Sequence, residues 1–230
     1  PDPKQRINMG IRRRLAPLLE NDKRKILLMH SMLLTMVGSP FLYYGDEIGM
    51  GDSVDLFDRN GLRTPMQWDG SLNAGFSDAD PAKLYAPVIK DEVYGYQWVN
   101  VAAQEADPNS LLNRLRHMIS VRKEHALFGR GDFAWKAFSF ESKAVVVYQR
   151  SWQGQRVVVL NNLSGEEVSG WIPETAQSFE DLLTGETILP GDYTLKPYGY
   201  VWLKPIGPDK PNVPTGPNAP QPGYLGSDKQ

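Results

Sequence analysis

Cysteine is absent from the 230 residues, which excludes disulfide frameworks, thiolate metal sites and a cysteine nucleophile. A reducing compartment is compatible with that, and the expected location is cytoplasmic. Histidine is scarce: His30, His117 and His125 are too scattered for a metal-ligand cluster, so no cofactor is expected in this chain. No run of about 18 apolar residues could span a bilayer, and no membrane partner is expected. A basic excess is missing too. Twenty-five Lys and Arg face 27 Asp and Glu, so the field that drives nucleic-acid affinity is lacking. Nor does the chain open on methionine: it begins Pro1-Asp2-Pro3 without an apolar leader, which reads as a fragment. What is present, 41% apolar and 23% charged residues, is the composition of a globular chain with room for one large or two small domains.

Along the chain the signals change character. The first 25 residues hold eight basic and three acidic side chains, including Arg12-Arg13-Arg14; a solvated helix face accounts for such a run more simply than an anion site does. Asn21 or Asp22 can cap a helix running through Ile26, Leu27, Met29, Met32, Leu33 and Met36 to Gly38. Its later turns are apolar nearly all round, so burial on several sides is expected. The run Phe41-Leu42-Tyr43-Tyr44, fenced by Pro40 and Gly45, fits a strand of a parallel sheet buried on both faces. A polar, Gly-rich stretch follows from about residue 45 to 106. Asp107-Pro108-Asn109-Ser110 then starts an amphipathic helix through Leu111, Leu112, Leu115, Met118, Ile119 and Arg122, ending near His125. Beyond it the period shortens. Runs at 132–140, 143–150, 156–163 and 193–203, separated by turn signals, read as an all-β sandwich whose Trp135, Tyr148 and Trp202 belong to its core. Residues 205–230, with seven prolines and four glycines, read as a disordered tail or linker.

Two groups of residues have chemistry to offer. Asp46 and Glu47 stand at the carboxyl end of the expected strand, where α/β proteins collect site residues; equally, one of them caps the next turn or pairs with a basic neighbour. Arg59, Arg63 and Gln67 lie in a stretch with Asp58, Asn60, Asn73, Phe57 and Trp68. Guanidinium and carboxamide groups fork onto paired hydroxyls while an aromatic face covers the apolar side of a sugar ring. The open alternative is a loop fastened by an Arg–carboxylate pair and anchored by Trp68.

The segment Gly38-Ser39-Pro40-Phe41-Leu42-Tyr43-Tyr44-Gly45-Asp46-Glu47 resembles the motif around strand eight of the alpha-amylase family of glycoside hydrolases. Asp58 to Trp68 is similar to the Arg-Thr-Pro-Met-Gln-Trp loop of its α-glucosidase and sugar-isomerase branch. Three further segments, Ile11 to Leu19, Gly49-Met50-Gly51-Asp52 and Tyr94 to Val101, resemble the members that interconvert maltose and trehalose. The resemblance covers residues 1 to about 204. It implies the C-terminal remnant of a (β/α)8 barrel over 1–128 and an antiparallel β-sandwich over 129–204, the rest of the barrel preceding Pro1. It further implies an intramolecular glucosyltransferase acting by retaining double displacement on maltose, trehalose and glucose. The nucleophile, the acid/base and a third carboxylate would lie upstream, on strands absent here, leaving this piece inactive alone. In that picture Arg63 is the leading substrate-binding residue, followed by Glu47, Asp46, Arg59 and Gln67, and the partner is the N-terminal part of the same barrel. A calcium site in that upstream part and a homo-oligomer are left open. A related α-glucosidase and a noncatalytic carbohydrate-binding or scaffold homologue remain as alternatives.

Overall fold

The computed structural model describes residues 13–136 and 138–208. Residues 1–12 of the basic stretch, and the expected tail from residue 209 onward, lie outside the described residues. The remainder forms two compact units: one takes the residues up to Leu27 together with Pro40–His117, the other Leu28–Ser39 together with Met118 onward. Helices α2 and α4, introduced below, each give their first part to one unit and the rest to the other.

The first unit is mostly irregular. Helix α1 (Leu15–Leu18) is a single turn, stopped where Glu20 and Asn21 take left-handed φ values of 58° and 57°. Asp22 then caps α2 (Lys23–Thr35): its carboxylate accepts the backbone N–H of Arg24 at 2.9 Å and the Arg24 guanidinium at 2.7 Å, satisfying one of the first-turn donors a helix leaves open. Ser110 caps α4 (Leu111–Glu124) in the same way, its hydroxyl accepting from the Asn113 N–H at 3.1 Å. Leu111, Leu112, Leu115, Met118 and Val121 form the buried stripe of α4, the spacing of one helical face. Between these helices the chain passes through short 3-10 turns and α3 (Val101–Ala106). Ile48, Met50, Met66, Ile89 and Leu112 make the unit's apolar core.

One expectation needs correction here. Phe41–Tyr44 is not a strand; among the described residues no strand precedes Asp132, and Phe41 is 86% exposed. A parallel strand takes every ladder bond from its neighbours, and none stands beside this segment among the described residues. Helix α2 is buried over most of its circumference, but Met29 and Leu33, one turn apart, remain exposed.

The second unit carries the sheets, all pairings antiparallel. A six-stranded sheet has the order β1-β3-β4-β9-β6-β7 and a three-stranded sheet the order β2-β5-β8. The strands are β1 (Asp132–Trp135), β2 (Ser139–Phe140), β3 (Val145–Trp152), β4 (Gln155–Asn162), β5 (Val168–Ile172), β6 (Ser178–Asp181), β7 (Thr187–Ile188), β8 (Gly191–Leu195) and β9 (Tyr200–Ile206). Eight residue pairs, from Val145↔Asn162 to Trp152↔Gln155, join β3 to β4 around a two-residue turn. Gln153 and Gly154 there both have positive φ, the geometry that matches strand twist. The run expected at 132–140 is two strands in different sheets, and so is 193–203, broken where Tyr198 adopts a φ of 55°.

Alternation along the strands gives the six-stranded sheet two buried faces. Val147, Val158, Leu160, Phe179, Val201 and Leu203 meet Ile172 and Leu195 of the smaller sheet in one core, the arrangement of a sandwich. The opposite face buries Tyr148, Arg150, Val157, Val159 and Trp202. Trp202 donates its indole N–H to the Ser31 hydroxyl at 2.9 Å and meets Phe128 of α5 (Leu127–Arg130) at 5.1 Å between ring centroids. Arg150 donates to the carbonyls of Thr35 and Met36, at 2.8 and 3.0 Å, and to Gly131 at 2.9 Å. The terminal carbonyl of α2, which has no donor within the helix, and that of Met36 just past it are thereby satisfied. Trp135 is not in the core: it lies on edge strand β1, 64% exposed, with its ring edge-on to Phe133 and Tyr148.

Candidate functional site

The candidate site is built on a turn and two loops of the first unit. Asp46 and Glu47 do not alternate on a strand; they occupy a 3-10 turn, Asp46–Ile48, flanked by Gly45 and Gly49 in left-handed conformations. Gly45 has φ +88°, and a Cβ there would come within 2.4 Å of the Met50 sulfur. The turn sends the adjacent carboxylates to different places. Glu47 lines a hollow of about 530 Å³ with Tyr44, Arg63, Thr64, Trp68, Phe76 and Tyr85. Asp46 lines a second hollow, of about 440 Å³, with Arg13, Arg14, Tyr43, Arg59, Leu62 and Arg63. Arg63 is common to both.

The backbone on either side of Arg63 is pinned by two residues that the sequence did not single out. The Tyr44 hydroxyl donates to the Thr64 carbonyl at 2.9 Å, with the Leu62 carbonyl at 3.3 Å. Arg14 donates to the Leu62 carbonyl at 2.7 Å and to the Tyr44 carbonyl, while its own N–H donates to the Asp52 carboxylate at 2.8 Å. Its guanidinium lies 4.8 Å from the Tyr44 ring centroid and 5.2 Å from that of Tyr43, a cation–π geometry. Arg14 is buried, so the solvated-face reading of the arginine run is corrected at this position. A buried guanidinium requires partners for its charge and donors, and the aromatic rings and loop carbonyls provide them. Position at the end of the arginine run, directly before the apolar turn Leu15-Ala16-Pro17, was the available signal. Nothing local marked Tyr44 as a clamp.

Burial raises the carboxyl pKa of Asp46 above its ordinary value, and the Arg14 guanidinium, 4.0 Å away, pulls the other way. Asp52 is raised for the same reason, against its bond from the Arg14 N–H. Burial also raises the Tyr44 hydroxyl above its ordinary value.

Of the residues expected to bind substrate, Arg63, Glu47, Asp46 and Arg59 therefore gather around the two hollows, with Arg63 between them. Gln67 stands apart. It is buried, lines neither hollow, and donates its amide to the carbonyls of Tyr94 and Val99. Asn73 is likewise engaged internally, bonding the Ser77 and Ala79 carbonyls at 2.8 and 2.7 Å. Among the described residues no three His, Asp or Glu side chains converge as metal ligands would, and no helix is long and apolar enough to cross a membrane.

An arginine-rich, aromatic-walled cleft on loops, in a chain that also carries an antiparallel sandwich, suits a carbohydrate-active protein. The catalytic-domain profile of alpha amylase matches residues 12–131, and the chain belongs to the alpha-amylase family. Within it, the chain is 43% identical over 227 residues to the trehalose synthase of Pimelobacter sp. (strain R48), covering 93% of this chain and 39% of that protein. It is 51% identical over 166 residues to the trehalose synthase/amylase TreS of Mycobacterium tuberculosis (strain ATCC 25618 / H37Rv), covering 71% and 27%. The chain thus spans less than two fifths of the length of these curated relatives. A crystal structure of a trehalulose synthase MutB mutant with Tris superposes with a TM-score of 0.69 over 85% of this chain and 42% of that one. At 23% identity that match speaks to fold alone.

Proposed function

We propose that this chain supplies one wall of the sugar site of a glucosyltransferase that interconverts maltose and trehalose, the bond-breaking carboxylates lying on barrel strands outside it. Residues 1–128 would then close a (β/α)8 barrel and 129–204 form its appended sandwich. The observation that carries the reading is the position of Arg63 on the rim shared by two hollows, with Glu47 facing one and Asp46 and Arg59 the other. The similarity to trehalose synthases selects the substrates.

Retaining transfer needs two carboxyl groups about 5 Å apart. One attacks the anomeric carbon as the bond to O4 of the second glucose breaks; the other gives its proton to that oxygen. The anomeric hydroxyl of the freed glucose then attacks the glucosyl-enzyme and returns its proton to the same group, which restores both carboxyls. Asp46 and Glu47 diverge into separate hollows and do not form such a pair. Their part, with Arg63 and Arg59, is to hold hydroxyls and set charge at the edge of the pocket. Water must be kept away from the intermediate, or glucose is released instead.

The test is product analysis of the full-length protein on maltose, with Arg63→Ala beside the wild type. Trehalose is expected as the main product, and glucose alone would turn the assignment to an α-glucosidase. Loss of a charge-assisted bond should lower kcat/KM by about 1.5–3 kcal/mol, roughly 10- to 150-fold, at unchanged Tm. Unaltered kinetics in that variant would remove Arg63 from the site.

A further inference from the structure

The segment Gly49-Met50-Gly51-Asp52 lines neither hollow, yet it is joined to both supports of the site. Near its start, the Met50 N–H donates to the Gly45 carbonyl at 2.9 Å, and the fully buried Met50 side chain packs where a Cβ on Gly45 would stand. That closes the turn carrying Asp46 and Glu47. At its end, Asp52 Oδ1 accepts the Arg14 backbone N–H at 2.8 Å, across 38 residues of sequence. Between these two bonds Gly51 is buried, and a Cβ there would collide with the Tyr94 ring, so the segment is held from its far side as well. The second Asp52 oxygen, Oδ2, is buried and has no hydrogen-bond partner among the described residues. Burial raises the carboxyl pKa, opposed by the Arg14 N–H and by the charges of Arg14 and Arg13. A carboxyl buried with so few bonds is costly to keep. What it holds is the residue on which the Arg63 segment depends.

We propose that Asp52 is a positioning residue of the sugar site: it fixes the Arg14 backbone, Arg14 fixes the loop on either side of Arg63, and Asp52 itself touches no substrate. This rests on the sugar-site reading above. The argument is one of reach. The Arg14 guanidinium bonds the Leu62 and Tyr44 carbonyls, 48 and 30 residues away. A long side chain holds such distant groups only if its own backbone is fixed, because its rotatable bonds otherwise spread the guanidinium over many positions. Asp52 removes that freedom at the root of the side chain, while the Tyr43 and Tyr44 rings and the loop carbonyls remove it at the tip. A shift of the Arg14 backbone is therefore passed to Leu62 and on to Arg63, and a misplacement of about 1 Å in a substrate-binding group can cost on the order of 100-fold in rate. All of these bonds lie within one compact unit.

The experiment is a double-mutant cycle in the full-length enzyme, scored as maltose consumption below the unfolding transition of every variant, with Tm measured alongside. Asp52→Leu removes the acceptor at similar size, Asp52→Asn keeps an oxygen in its place, and Arg14→Met forms the second arm. Asp52→Leu should lower kcat/KM about tenfold, and Asp52→Asn should recover most of that loss. In the Arg14→Met background the same Asp52→Leu change should cost less than about twofold, because the group it positions is already gone. An equal loss in both backgrounds would overturn the proposal. So would wild-type kcat/KM in Asp52→Leu, with or without a drop in Tm, which would leave Asp52 holding the fold alone. The score does not depend on which product forms: wild-type release of glucose alone would overturn the maltose–trehalose reading, and the cycle would still decide Asp52.

Discussion

The two units satisfy their backbones by different means. In the sandwich, strands do it for one another, as in the eight registered pairs between β3 and β4. In the loop-rich unit isolated turn bonds do part of it and side chains add to them: Arg14 bonds the Leu62 and Tyr44 carbonyls, Gln67 those of Tyr94 and Val99, Asn73 those of Ser77 and Ala79, and Asn113 those of Gln104 and Asp107. The difference teaches where a site can be built. A ladder imposes a period of two and a flat surface, whereas polar side chains can hold irregular backbone in whatever shape a cleft needs. It also separates the vulnerabilities: the sandwich should be most sensitive to loss of apolar volume, the loop unit to loss of single polar groups.

The largest effect should come from Trp202→Ala. That residue is fully buried between Phe128 and Ser31, and truncating a buried Trp typically costs about 3–5 kcal/mol. Urea unfolding of the full-length protein is the measurement, and kcat/KM below the transition should hold. A cost under about 1 kcal/mol would mean the sheet face is not packed as described.

Next is Arg14→Met, which keeps an unbranched chain but removes every side-chain donor. Two loop carbonyls lose their partners, at about 1–3 kcal/mol each, and the segment bearing Arg63 is freed. Stability and kcat/KM should fall together. If activity survives while Tm drops, Arg14 holds the fold without positioning the site.

Helices were legible because their signals are local. The cap and apolar spacing that place α4 near Ser110 lie within four residues of one another, and those of α2 are similar. What was not legible depends on distant partners. Phe41–Tyr44 has the composition of a buried strand, but strand structure belongs to a sheet, and no neighbours are described in this unit. Strands β5, β6 and β7 are short and interrupted by turn residues, so their pattern carries little weight until β8 and β9 are in place beside them. Asp46, Glu47, Arg59 and Arg63, which line the two hollows, were singled out by residue type and resemblance. Arg14 and Tyr44 were not, because their role is to bond backbone 18 to 48 residues away, and no local spacing records that. Gln67 shows the converse: a residue of suitable type for sugar hydroxyls is buried against two carbonyls instead.

Gln67→Leu sharpens that last point. The substitution is nearly isosteric, but leaves the Tyr94 and Val99 carbonyls without their donor, so a loss of about 1–3 kcal/mol is expected. KM for maltose should be unchanged where the variant is folded. A raised KM at undiminished Tm would return Gln67 to the list of substrate contacts.

The smallest effect is one of sign, between two carboxylates of the same unit. Asp22 is exposed enough to be solvated and is held at about 2 chiefly by its bond from Arg24. Its folded pKa is below the ordinary 3.8, so the native state binds the proton less tightly than the unfolded chain. The stability it adds is complete above 3.8 and is lost as the pH falls toward 2. Asp46 behaves in the opposite way. Burial raises its pKa above 3.8, the native state keeps the proton longer, and ionisation weakens the fold as the pH rises from 3.8 through the raised value. Asp46→Asn should therefore flatten the decline of Tm with rising pH in that window, whereas Asp22→Asn should flatten the acid limb below 3.8. If Asp46→Asn instead steepens the decline, the Arg14 guanidinium outweighs burial at Asp46, and the floor of the smaller hollow carries a stabilised negative charge.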